Sequence, residues 1–319
     1  MSPVLALILK RIGIGVVLIL AISALLFLGV EALPGDFAQN FLGQAATPEA
    51  VANIRRELGL DQPVMLRYLD WLGGVVIGDF GESWANGSSV SEQLGKRLAN
   101  TLFLAAVAAV FAVPISVGLG VLAVFYRNRL PDRIINILSL AAISMPEFFV
   151  GYLFIFFFAL QFGIGDGPPI IPDPRASVWE NVQLVFLPAM TLVVVVIAHM
   201  MRMTRAAILN IMESAYVETA ELKGLSMLRI IWKHAAPNAV APIINVVALN
   251  LAYLVVGVVV VEVIFAYPGM GQYFVDAVTV RDIPVVQACG IVFAAVYIIL
   301  NMLADVGAIL ANPRLRHPK

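Results

Sequence analysis

Few side chains in this sequence are spaced for covalent chemistry. The three histidines, His199, His234 and His317, stand far apart, and no HExxH pair of metal ligands occurs. Lysine follows glycine only in Gly95-Lys96, and Val90 stands where a phosphate-cradling loop needs its first glycine. The stretch GESWA (81–85) lacks the second glycine of a nucleophile elbow. The single cysteine, Cys289, excludes an internal disulfide and a cysteine-based zinc site. These features argue against an enzyme. What remains is isolated polar side chains within or beside long apolar runs: Glu147 directly after Pro146, Asn245 and Asn250 five residues apart, Glu262, and Asp305. A charged group left facing lipid costs about 2.5–3.5 kcal/mol or more at the bilayer centre. Such residues therefore line a passage, pair with a neighbour or reach the interface.

The elements that must position them are membrane spans. Hydrophobic residues make up 61% of the 319, charged residues only 13%, and the mean hydropathy is +0.93, whereas about a quarter of a soluble chain is charged. The net charge of −1 says nothing about partners, and no nucleic-acid contact is expected. Six apolar segments, at about 12–30, 100–125, 134–162, 184–201, 239–263 and 284–308, are each long enough to cross a bilayer as a helix that closes its own backbone hydrogen bonds. Lys10 and Arg11 precede the first. No small-x-small cleavage site follows it, so it reads as a retained span rather than a signal peptide. With the N-terminus in the cytosol, 13 of the 20 basic residues fall on the cytosolic side, and five of the other seven lie in one long loop, where the bias counts for less. Both termini are thus expected in the cytosol.

Two connections are more than turns. The first, about 31–98, contains TPEAVANIRRELGL, with Thr47 as helix cap, Pro48 at the first position and Gly59 as the stop. RYLDWLGGVVIGDFGESW then mixes aromatics with glycines, as a folded loop or an interfacial segment would. The second, Tyr216–Pro237, is the longest polar interruption in the second half of the chain. Ser214 is placed to cap a short helix carrying Glu218 early and Lys223 late; Gly224 follows where a left-handed residue ends a helix; Ser226 can cap a second helix leading into Pro237. An ordinary solvated connector has no need of the apolar residues Tyr216, Val217, Ala220, Leu222 and Leu225. The segment therefore reads as a helical hairpin shaped for docking.

Glu147, Asn245, Asn250 and Glu262 are the candidates for lining a passage through the membrane. Glu147 serves equally well as a helix-end carboxylate at the interface. The two asparagines lie about 140° apart around a helix, so one of them is expected to join helices instead. Glu262 fits a structural anchor or gate better than a solute ligand, and Asp305 is expected to pair with a basic residue at the cytosolic surface. The six phenylalanines between Phe148 and Phe158 read mainly as packing or lipid-facing residues.

The order Glu218, Ala220, Gly224 and Pro237 resembles the EAA motif of type I ABC importer permeases, with E-T-A for E-A-A and His234-Ala235-Ala236-Pro237 at its end. LPGD (33–36), ELGLDQP (57–63), GDFGES (78–83), ISMPEFF (143–149), TRAAIL (204–209), VVVEVIFAYPGMGQ (259–272), RDIPVVQ (281–287) and NPRLR (312–316) resemble the peptide and nickel branch, in particular its dipeptide and oligopeptide permease B subunits. The resemblance runs over nearly the whole length. It implies an all-α integral membrane fold of six transmembrane helices with a long first extracytoplasmic loop. Residues 1–98 would form the first span and that loop, 99–308 a domain of five spans containing the hairpin 214–237, and 309–319 a cytosolic tail. It also implies that Tyr216, Val217, Glu218, Ala220, Glu221, Lys223, Gly224 and Leu225 couple the chain to an ATPase. The implied partners are a second, homologous permease subunit in a heterodimer, two ATP-binding subunits holding the ATP and Mg2+, and an extracytoplasmic binding protein. The implied work is import of di- or oligopeptides across a bacterial inner membrane. An ion-coupled secondary transporter and a non-transport scaffold are the alternatives. The first is disfavoured because charge sits mostly in loops and no internal repeat is seen, the second because it has no use for the polar hairpin.

Overall fold

The computed structural model describes residues 3–32, 37–43, 46–165 and 167–311. The motifs at 33–36 and 312–316 and the last eight residues of the tail lie outside them. No strand occurs among the described residues, apart from one isolated bridge between Glu82 and Ser89.

Five helices are long and apolar enough to cross a membrane alone, and a sixth crossing is made by a bent pair. The first is α1 (Pro3–Glu31). The outer connection carries α2 (Phe37–Leu42), α3 (Pro48–Glu57) and α4 (Val64–Ile77). As the sequence predicts, Thr47 caps α3 by accepting from the Ala50 N–H, and Pro48 opens it. Next, α5 (Val90–Phe125) runs 36 residues, about 54 Å at 1.5 Å per residue, against a hydrocarbon core of about 30 Å. Its first turns, with Glu92, Lys96 and Arg97, therefore stand clear of the apolar layer; the expected start at 100 marked only where charge ends.

The third crossing departs from expectation. The sequence predicts one span over 134–162. Instead α6 (Leu130–Ser144) and α7 (Glu147–Phe154), which continues as a π-type turn to Gln161, meet at 99°. Met145 is extended (φ −90°, ψ 128°), the conformation imposed on a residue that precedes proline. After α8 (Val178–Leu184), α9 (Phe186–Met212) runs well past the end expected at 201. Arg202 there is exposed, and the Arg205 guanidinium donates two 2.9 Å hydrogen bonds to the carboxylate of buried Asp132 on α6. A paired, half-buried arginine is tolerated at the edge of the packed bundle.

The hairpin helices α10 (Ala215–Leu222) and α11 (Met227–Ile230) follow, then a π-type turn (Ile231–Ala235) and α12 (Ala236–Gly257). On the opposite face α13 (Val259–Ile264) and α14 (Met270–Val280) return the chain to the last span, α15 (Ile283–Ala311). The main core lies between α5, α9 and α12, with Leu104, Leu192, Val196, Leu254 and Tyr267 buried. At Gly120 α5 comes so close to α9 that an added Cβ would lie 2.8 Å from Thr204 Cγ2. Small residues at such crossings let membrane helices pack by van der Waals contact.

Candidate functional site: a two-faced hairpin at one end of the bundle

The hairpin is built from two short helices that could not stand alone. Val217, Ala220 and Ile230 are buried against one another, with Met212 and Leu225 packed around them. Between the helices Gly224 adopts φ +74°, and its N–H donates to Glu221 O at 2.8 Å while Leu225 N–H donates to Ala220 O at 3.3 Å. The caps work differently from expectation. Neither Ser214 nor Ser226 makes a side-chain cap bond; the Ser214 hydroxyl donates backwards to Ile211 O.

Of the residues expected to couple, Val217 and Ala220 face inward and hold the hairpin together. Leu225 packs beside them. Tyr216, Glu218, Glu221, Lys223 and Gly224 are exposed. Leu222, not included among the expected coupling residues, is 83% exposed, the highest value among the large hydrophobic residues described. Helical periodicity carried part of the signal: 217 and 220 share one face, which turns 218 and 222 outward, whereas Glu221, one turn on from Val217, is exposed although it lies beside that face. Tyr216 also leans back, its hydroxyl donating to His234 O at 3.4 Å.

The return limb is locked to the bundle. Ile231 is buried with Val124 of α5, Ile208 of α9 and Ala239 of α12, and Val121 and Phe125 pack against this cluster. Arg127, just past α5, reaches Glu213 at 3.3 Å. A displacement of the hairpin thus bears directly on three spans. The same end of the bundle carries the Arg11–Asp305 ion pair at 2.9 Å, which supplies the basic partner expected for Asp305.

The candidate path residues are not gathered in one place. Glu147 opens α7 at the sharp bend, partly buried, and its Oε1 is buried without a partner among the described residues. Asn245 is exposed, whereas buried Asn250 donates to Val246 O one turn back at 2.7 Å. Glu262 is wholly buried near the opposite face. It accepts from the Thr101 hydroxyl at 2.6 Å, the Gly271 N–H at 2.7 Å and the Gln272 N–H at 3.1 Å. Thr101 in turn accepts from the Met270 N–H, and a Cβ at Gly269 would overlap the Glu262 carboxylate. With its acceptors occupied, Glu262 ties α13, α14 and α5 together.

Sequence reading missed the partners of this clamp, since each is ordinary by itself. Tyr267 is buried, and its hydroxyl donates to Asn100 O at 2.9 Å. Burial first, and the charge of Glu262 second, push that phenol above its ordinary value, keeping it a donor. At the start of α15, Asp282 accepts from the Ser83 hydroxyl and from the N–H groups of Trp84 and Ala85. The GDFGES and RDIPVVQ motifs, two hundred positions apart, thus form one joint.

A six-crossing helical bundle with a two-faced hairpin at one end and a stapled return helix at the other defines a membrane transport subunit. The family model described as "Binding-protein-dependent transport system inner membrane component" matches residues 113–317, and the model of its N-terminal region matches residues 4–105. The chain belongs to this family: it is an ABC importer permease, in the peptide and nickel branch that its motifs resemble. It is 34% identical to the glutathione transport system permease protein GsiC of Salmonella typhimurium (strain LT2) over 310 residues, 97% of this chain and 98% of that protein. GsiC of Escherichia coli (strain K12) is 34% identical over 296 residues, 93% and 94% of the two chains. The inward-facing MetNI methionine ABC transporter shares the fold at a TM-score of 0.51 with 19% identity, covering 69% of this chain and 96% of that one.

Proposed function

We propose that this permease forms half of a path for small peptides or peptide-like solutes, glutathione being the cargo named for its relatives GsiC. A second, homologous permease supplies the other half. The hairpin end faces the cytosol, and Tyr216, Glu218, Glu221, Leu222, Lys223 and Gly224 seat against an ATP-binding subunit. ATP and Mg2+ are bound there, and hydrolysis occurs there, not in this chain. The extracytoplasmic binding protein delivers solute to the opposite face. A cleft of about 630 Å3 opens on that face between Glu31, Arg67, Trp71, Trp84 and Pro284.

The observation that carries this reading is the two-faced hairpin: an exposed rim on one side, and on the other a buried seam joined to α5, α9 and α12. Closure of two ATPases would move such rims together, and the packed seam would pass the motion to the spans as one of two global arrangements. Within the path, Glu147 is the candidate for contact with solute, because its buried oxygen lacks a partner at the bend; Asn245 is a second, weaker candidate. Asn250 and Glu262 serve the bundle instead. The test is co-purification with the ATP-binding subunit and uptake in vesicles. Glu218→Lys should release the ATPase and stop uptake while the permease melts as wild type. Retained ATPase and normal uptake in that variant would overturn the assignment.

A further inference from the structure

The outer connection contains two helices of opposite character. In α3 the only buried residue is Val51, and the exposed positions are mostly polar or charged, as expected beside water. In α4 the arrangement is inverted. Its Arg67, Tyr68 and Trp71 turn towards α1. Arg67 pairs with Glu31 at 2.6 Å, the Tyr68 hydroxyl lies 2.9 Å from that of Ser23, and both rings pack on Phe27. At about 100° per residue, Leu69 and Val76 lie about 140–160° from Trp71, on the far side. No residue of α4 is buried, and Met65, Leu66, Leu69, Val76 and Ile77 are all more than half exposed, Val76 and Ile77 reaching 79%.

Depth comes from α1. Ser23 is eight residues before the outer end of that span at Glu31, about 12 Å along its axis. Phe27 lies midway. A helix that packs on Phe27 and reaches Ser23 is below the rim of the span, at the level of its acyl-facing residues. On α1 itself, Leu25 and Leu28 are exposed as well.

We propose that α4 is inserted in the extracytoplasmic leaflet, with its Met65, Leu69 and Val76 face against acyl chains and Arg67 holding it to the rim through Glu31. Tyr68 and Trp71 then sit at the depth where aromatic belts form, and buried apolar area supplies the anchoring energy. The outer connection is thereby strapped to the membrane, and the cleft beside Trp71 lies close to its surface. This placement follows from α1 and α4 alone and stands whatever solute the protein moves.

The test places one nitroxide label at a time on the full chain in vesicles of phosphatidylethanolamine and phosphatidylglycerol, using Leu69→Cys, Val76→Cys and, on α3, Glu57→Cys. Native Cys289 is fully buried and stays unlabelled; Leu69 and Val76 make no buried contact, so either label leaves the fold intact. Labels at 69 and 76 should collide with oxygen several-fold more often than with a water-soluble nickel chelate, and the label at 57 should show the reverse. Nickel access at 69 and 76 equal to that at 57 would place α4 in water. Shielding from both reagents would place it under another protein. Either result overturns the proposal.

Discussion

Gly224 offers the sharpest test of the coupling geometry. Its φ of +74° lies in the left-handed region, and a Cβ added there would meet nothing within 4 Å. A side chain at 224 is therefore penalised by backbone conformation alone and not by crowding. For an L-residue that penalty is about 1–2 kcal/mol, and a β-branched residue lies at the upper end. Opposing it is a small seam, Val217, Ala220 and Ile230 with their neighbours, whose burial is worth a few kcal/mol at most. Strain of this size draws heavily on what keeps the hairpin bent. Gly224→Val should weaken association with the ATP-binding subunit by as much as about 5- to 30-fold, and uptake should fall with it. Asparagine tolerates the left-handed region, so Gly224→Asn should keep most of both. Because the position is exposed, neither variant should move the main thermal unfolding transition. Binding assays of purified permease against its ATPase, with uptake in vesicles, decide the matter. Wild-type coupling in Gly224→Val, or equal damage from Val and Asn, would refute the reasoning.

Removing Asp132 leaves the half-buried Arg205 guanidinium without its carboxylate; Asp132→Ala should cost about 1–3 kcal/mol in thermal or denaturant unfolding in detergent, and Asp132→Ala with Arg205→Met should regain most of it. By contrast the Arg11–Asp305 pair is solvent-exposed, so Asp305→Asn should shift stability by no more than about 1 kcal/mol in the same assay. Glu262→Ala leaves the Gly271 and Gln272 N–H groups without acceptors, at about 1–3 kcal/mol each, and should unlatch α14; Glu262→Gln retains an acceptor and should cost less. Leu222→Asp should abolish capture of the ATP-binding subunit without altering the melting curve, since nothing in the hairpin depends on that side chain.

How much could be read in advance differs from element to element. The crossings were visible because lipid admits only self-satisfied helices, and a run of twenty apolar residues is a local property. The bend at Gly224 was visible for the same kind of reason, since a glycine behind a short helix marks a left-handed stop. The sharp break after Ser144 was only half legible: proline announces a kink, but its angle is set by what α6 and α7 pack against. The end of α9 was misplaced because an apolar run marks only the stretch that lipid can cover, while the helix continues through exposed Arg202 to Arg205, whose partner lies on another helix.

The chain's composition and short-range patterns by themselves determined a membrane-spanning protein, the number of its crossings and the place where a polar hairpin interrupts them; that it is a permease rested on the resemblance of its motifs to a family. Only the tertiary structure decided which side of that hairpin is free, that Glu262 is spent on Thr101, Gly271 and Gln272, that Asp282 joins two distant motifs, and that α4 turns its oily side outward. Periodicity is written along the chain, whereas the pairing of polar groups depends on distances between residues far apart in it, and those exist only once the helices have packed.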